Sequence, residues 1–197
     1  MPLDDCDIFN PPAALSRITR SSAEIGFTLA SEPRTGSLLR TLAAAKPGGH
    51  LLELGTGTGV GTAWLLDGMD PEARLETVDS DPVVLDIARR FLGRDHRVTF
   101  HHAEGAEFLN QGQSAQFDLI FADAWSGKYA DLDAALRVLR PGGMYVIDDL
   151  LPQPNWPDGH AERVPPLTER LERLPGFVAT KLAWASGVMI VVRRWQS

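Results

Sequence analysis

Apolar positions in this chain fall into short unbroken runs, separated by longer stretches in which they recur every three or four residues. HLLEL at 50–54, LETV at 75–78, VTFHH at 98–102, FDLIFAD at 117–123 and MYVID at 144–148 are such runs. They have the pattern of strands covered on both faces. Between them TAWLLDGM, VVLDIARRFL, a short EGAEFL and YADLDAALRVL carry helical spacing, and Asp81-Pro82 is a helix start with proline early in the first turn. Residues 11–45 read as helical with a break at Pro33, ending in the turn Lys46-Pro47-Gly48-Gly49. AERVPPLTERLERL reads as a helix whose start Pro165-Pro166 sets near Pro166. Two last strands, FVATKLAW and VMIVVRR, are separated only by Ala185-Ser186-Gly187, which permits a hairpin but no crossover.

Strands alternating with helices predict an α/β, doubly wound, Rossmann-like sheet of seven strands. It is expected to be mostly parallel, with an antiparallel C-terminal strand at its end and helices on both faces. The expected organisation is one domain over 1–197, an N-terminal helical segment (1–45) followed by an α/β core (46–197). Ligands of such folds lie beyond the carboxyl ends of the strands.

Composition narrows the partners. The net charge of −7 and the scattering of arginines among acids argue against a nucleic-acid face. No apolar run is long enough for a membrane span. The N-terminus MPLDDCDIFNPP is acidic and lacks the pattern of a signal or transit peptide. The one cysteine, Cys6, excludes an internal disulfide and a cysteine metal site. A soluble, cytoplasmic protein with a small-molecule ligand is the expectation.

The first strand runs into the glycine loop GTGTGVG at a helix start. Glycines allow a tight turn and close approach of a ligand to the main chain. There is no lysine, so this is not a Walker phosphate loop, and Val60 stands where a dinucleotide loop carries a small residue. Glu53, just before the loop, disfavours a pyrophosphate and suits a cationic ligand. Asp79 ends the second strand, where an acid accepts from ribose hydroxyls. Thr56 and Thr58 can equally serve turn amides, and Asp118 fits a cap at a strand entrance.

LLELGTGTGVGTAWLL and LETVDSDP resemble the first two cofactor motifs of class I S-adenosylmethionine-dependent methyltransferases. Residues 33–194, through VTFHHAEGAEFL, FDLIFADAWSGKY and LRPGGMYVIDDLLP, resemble more narrowly the small catechol and caffeoyl-CoA O-methyltransferases. The resemblance implies that Glu53, Gly55, Thr56, Gly57 and Gly59 line the methionine end of S-adenosylmethionine. Asp79 would hold the ribose, Ser80, Glu104 and Gly105 would flank the adenine, and Asp123 would reach both cofactor and acceptor. It further implies a divalent cation, Mg²⁺ with Mn²⁺ or Ca²⁺ able to substitute, held by Asp123, Asp148 and Asp149. Such an ion would lower the pKa of a catechol-like hydroxyl.

Two departures stand out. The pair after the fifth strand is Asp-Asp where the family has Asp-Asn. Ser126 occupies the position, three residues after Asp123, where the family carries a lysine base. Asp123, Lys128 and His160 are therefore the candidate catalytic residues, His160 in the Pro-rich loop PQPNWPDGH. Trp125 and Trp156 are candidates for an aromatic wall, while Trp64, Trp184 and Trp195 read as packing, as does one of His101 and His102. The first 30 residues are expected to shape the acceptor pocket or a homodimer contact. The expected function is methyl transfer to a hydroxyl of a small acceptor, metal-assisted. Alternatives are a metal-independent methyltransferase of a nitrogen or carbon acceptor, and a catalytically silent cofactor-binding protein.

Overall fold

The structure is a computed structural model that describes Ile8 and residues 10–195; Cys6 lies outside them. One seven-stranded sheet forms its centre. β1 (His50–Leu54), β2 (Arg74–Asp79), β3 (Val98–His102), β4 (Phe117–Ala122) and β5 (Leu139–Ile147) are parallel. β6 (Phe177–Leu182) and β7 (Val188–Arg193) complete the order β3-β2-β1-β4-β5-β7-β6. β7 runs antiparallel to both its neighbours, so the antiparallel strand lies one place inside the edge, and β6 takes the edge. The tight 183–187 connection makes the predicted hairpin, and the hairpin docks by its second strand.

Alternation along each strand explains why the runs are apolar throughout. Leu51, Leu119 and Val146 point to one face, where α1 (Leu15–Glu24), α2 (Pro33–Ala44) and α3 (Val60–Gly68) bury Ile18, Leu39 and Trp64 against them. Leu52, Ile120, Tyr145 and Ile147 point to the other, against α5 (Gly105–Gln111), α6 (Leu132–Val138) and α7 (His160–Glu172). Both faces of the central strands are thus core, and neither tolerates a polar residue without a partner. α4 (Pro82–Leu92) starts as expected, with the Asp81 carboxylate accepting from Val83 N at 2.8 Å. Asp118 does cap a strand entrance, accepting from His50 N at 2.8 Å.

Four boundaries differ from the sequence reading. α1 ends at Glu24, well before the break expected at Pro33. α7 begins at His160 and carries Pro165 and Pro166 inside it. Its first turn is held by side chains instead, His160 stacking on Trp156 at 4.3 Å and Arg163 lying over the Trp125 ring at 4.6 Å. α6 starts only at Leu132, because residues 125–130 form a self-bonded loop. β5 begins at Leu139, before Pro141-Gly142-Gly143, and takes up those residues in a register shift against β4. Trp64 is fully buried, whereas Trp195 is 77% exposed and only its indole edge covers Gly142. His101 packs on Phe108 at 4.8 Å between the sheet and α5. No helix among the described residues is long and apolar enough to cross a membrane.

Strands step outward from β1 in one direction and from β4 in the other, so a crevice opens between the carboxyl ends of β1 and β4. Everything chemically distinctive gathers there.

Candidate active site

Two cavities of about 210 and 240 Å³ lie end to end over this crevice and share Gly55, Asp79 and Ala124. The first reaches from Thr56 and Gly57 to Asp123; the second reaches Ser80, Glu104 and Gly105. Together they form one trough crossing the ends of β1, β2, β3 and β4. Asp79 stands at its middle, Oδ2 accepting from Gly57 N at 2.7 Å and Oδ1 from Asp81 N at 2.9 Å. Its carboxylate therefore shapes the glycine loop and still has lone pairs facing the trough.

Two residues of the predicted set stand elsewhere. Gly59 caps α3 and abuts Ala88 of α4, so it serves packing and lies outside the trough lining. Glu53 is buried beneath the loop, also outside the lining. Its Oε2 accepts from Thr62 Oγ1 at 2.5 Å and Thr77 Oγ1 at 2.6 Å, while Oε1 has no partner. Thr77 spends its hydrogen on Glu53, so Thr56 Oγ1, 2.6 Å away, donates to Thr77. Burial, outweighing these hydroxyls, pushes the Glu53 carboxyl up to about 7.

The opposite wall comes from the N-terminal segment, at residues 27–31, where the sequence read helix and the structure has no regular element. Phe27, Leu29 and Ser31 close over the trough, and Ser31 Oγ donates to Asp123 Oδ2 at 3.0 Å. Asn155 Nδ2 donates to Thr28 O at 2.9 Å, joining the loop after β5 to this strap. Burial first, and then the Asp148 charge, hold the Asp123 carboxyl well above the usual carboxylate range.

The predicted metal clamp is not assembled. Among the described residues, no group of three or more His, Cys, Asp or Glu side chains is placed to hold a metal ion. Asp148 is 1% exposed, and its Oδ1 accepts from Ser186 Oγ and from Asp149 N at 2.8 Å. Ser186 belongs to the β6–β7 hairpin, a partner no motif announced. Asp149 sits at φ +59°, in left-handed backbone, which carries its carbonyl to 3.0 Å from His160 Nε2. As placed among the described residues, the donor set implied by the resemblance does not converge on a site for a divalent ion.

His160 is likewise committed. A carbonyl only accepts, so Nε2 carries the hydrogen toward Asp149 O, and Tyr129 Oη lies 2.8 Å from the same nitrogen. Burial lowers its pKa, and Trp156 covers one face of the ring. Trp125, 41% exposed, is the part of the expected aromatic wall that faces outward, while Trp156 spends itself on His160. Lys128 is buried at 2% exposure behind Asp123 and lines a separate cavity of about 250 Å³ with Tyr129 and Arg163.

A mostly parallel sheet with a glycine loop after its first strand, an acid after its second and a trough across the switch point defines a Rossmann-like cofactor-binding protein. The methyltransferase-domain family matches residues 52–150, 99 of the 197 residues, and the chain belongs to that family. It is 32% identical over 146 residues to a catechol O-methyltransferase of Niastella koreensis, covering 70% of this chain and 66% of that one. A Mycobacterium avium relative named as an O-methyltransferase is 31% identical over 140 residues, 68% of this chain and 63% of its own length. The chain thus spans less than two thirds of these relatives. The O-methyltransferase TomG of Streptomyces achromogenes, solved with S-adenosylmethionine, superposes with a TM-score of 0.80 at 25% identity, over 95% of this chain and 92% of that one. An O-methyltransferase of Bacillus cereus shares the fold with a TM-score of 0.80 at 22% identity, over 95% and 93%.

Proposed function

We propose that this protein transfers the methyl group of S-adenosylmethionine to a hydroxyl of a small acceptor. The observation that carries the reading is the continuous trough from Glu104 and Gly105, past Asp79, to Asp123. It has the order of parts that adenine, ribose and a methionine chain require. Asp79 accepts from the ribose, the amides and missing side chains of Gly55 and Gly57 admit the methionine end, and Asp123 faces the cationic part of the cofactor. Glu53 acts from beneath the loop, orienting Thr62 and Thr77.

Transfer is an in-line displacement. A lone pair of the acceptor oxygen forms the new bond to the methyl carbon as the carbon–sulfur bond breaks, its pair leaving with a neutral thioether. The hydroxyl proton goes to Asp123, a stronger base than an ordinary carboxylate because of its burial. Much of the remaining acceleration is positioning. His160 is a positioning residue, clasping Asp149 O and Tyr129 Oη so that the loop after β5 stays against the site. The metal assistance implied by the resemblance is left out of this reading, because Asp123, Asp148 and Asp149 do not converge as a metal-binding group among the described residues. The strap around Phe27 and Ser31 is read as a pocket wall rather than a dimer contact.

Calorimetric titration with S-adenosylhomocysteine, beside NAD⁺, tests the reading. Saturable binding of the first that NAD⁺ does not displace is expected, followed by label transfer from methyl-labelled cofactor to hydroxylated acceptors but not to their deoxy analogues. Binding of NAD⁺ in its place would sink the proposal.

A further inference from the structure

The cavity of about 250 Å³ beside Tyr129 is separate from the trough, and methyl transfer makes no use of its chemistry. The loop before α6, the start of α6 and the first three turns of α7 enclose it, with Leu132 and Leu167 as its apolar walls. Its charged lining is Lys128, Arg163 and Arg170 against a single carboxylate, Glu162.

An ammonium is among the most costly groups to bury without a partner. Lys128 is 2% exposed, and the turn carrying it is built to keep it inside. The amides of Lys128, Tyr129 and Ala130 all donate to Trp125 O at 2.9–3.3 Å, and Tyr145 Oη donates to Gly127 O from β5. Gly127, at φ +85°, presses so closely on β1 that a Cβ would collide with Leu54 Cδ1. Lys128 Nζ lies 5.3 Å from the centroid of the Tyr129 ring, which lines the same cavity. A ring face offsets only part of the lost hydration. The side chain makes no hydrogen bond or ion pair among the described residues, so three N–H donors of a buried cation stand unused.

Two more donors line the same space. The Arg163 guanidinium lies over the Trp125 ring at 4.6 Å and likewise makes no hydrogen bond or ion pair among the described residues. Tyr129 Oη accepts from His160 Nε2 at 2.8 Å, which leaves its own hydrogen for another acceptor. Arg170, by contrast, is already held by Asp133. Glu162 is exposed and pairs with neither Lys128 nor Arg163.

We propose that this cavity is an anion site that takes a phosphate group, free or carried on a small molecule. Lys128 supplies a point charge, Arg163 a planar pair of N–H groups and Tyr129 a hydroxyl hydrogen. Donors of three kinds, from a loop and a helix, suit tetrahedral oxygens better than the two coplanar oxygens of a carboxylate. None of the three lines the trough, so the site stands apart from the methyl-transfer reading.

Calorimetric titration of inorganic phosphate at fixed ionic strength into wild type, Lys128→Gln, Arg163→Gln and Glu162→Gln tests the proposal. Wild type should bind saturably, and Lys128→Gln should bind about ten-fold or more weakly, the scale of a lost charge-assisted hydrogen bond. Arg163→Gln should bind several-fold more weakly. Glu162→Gln, which removes the one carboxylate of the lining, should bind several-fold more tightly. Phenyl phosphate distinguishes the sources: tighter competitive binding means a phosphate carried on a small molecule, weaker binding means the free ion, and either supports the site. No saturable binding by wild type, or equal affinity in all four proteins, would overturn it. Acetate binding as tightly as phosphate would overturn the assignment to a phosphate group. Loss of binding in Arg194→Gln in place of Lys128→Gln would put the anion in the cavity beside Arg193 and Trp195, and would overturn it too. If Lys128→Gln does not fold, the variants of the exposed Glu162 and Arg163 still decide.

Discussion

Gly61 stands directly against Glu53: a Cβ at position 61 would collide with Glu53 Oε1 and come within 3.2 Å of the Phe121 ring. The first turn of α3 can sit this low over the sheet only because residue 61 has no side chain. Gly61→Ala is expected to destabilise the protein by about 1–3 kcal/mol, the usual cost of overpacking a close-packed interior. It should also weaken S-adenosylhomocysteine, because the glycine loop ahead of α3 must lift. Thermal melts and calorimetry check both, and an unchanged melting point would show that Glu53 moves aside freely.

Glu53 also predicts a pH dependence. Its folded pKa of about 7 lies above the ordinary 4.5, so the folded state holds the proton more tightly than the unfolded chain. Below about pH 4.5 the group costs nothing, and stability is lost as pH rises from there through 7. Glu53→Gln removes that cost while leaving its new amide unpaired. The ligand-free variant is expected to be more stable than wild type at pH 8 by about 1–3 kcal/mol, and no more stable at pH 4.5. Denaturant melts at the two pH values measure this; a difference that does not change with pH would mean that Glu53 stays ionised in the fold.

Asp79 joins two jobs, fixing Gly57 N at 2.7 Å and facing the middle of the trough. Asp79→Ala should weaken S-adenosylhomocysteine by about 1–3 kcal/mol, the scale of hydrogen bonds to a charged group. Asp79→Asn, which keeps an acceptor, should lose less. Equal affinity of all three proteins in calorimetry would remove Asp79 from the site.

Ser186 donates to the buried carboxylate of Asp148 from the β6–β7 hairpin. Ser186→Ala leaves a buried carboxylate short of a donor, and a loss of about 1–3 kcal/mol is expected. The loss should be larger at pH 8 than at pH 5, because only the ionised carboxyl misses the hydrogen bond. A pH-independent loss would point to packing alone.

Within the sequence, the alternation of both-face apolar runs with amphipathic stretches set the strands and helices, because an unbroken short apolar run and a repeat of three to four residues are both local patterns. HLLEL, VTFHH and FDLIFA emerged as strands, and the glycine loop and Asp79 emerged as parts of one trough. Their places follow from strand ends, and in a parallel sheet all such ends share one side. What the tertiary structure decided rests on contacts between distant residues, each made by a side chain with no periodic signature. Ser31 reaches Asp123 across 92 positions, and Ser186 reaches Asp148 across 38. The second contact gives the buried Asp148 carboxylate a partner that no motif announced. Lys128, a candidate base in the sequence two residues beyond Ser126, is buried in the fold. Its burial depends on Gly127 meeting Leu54 and on Tyr145 holding the Gly127 carbonyl. Chain order supplied the acids, and packing between distant residues decided which partners they meet.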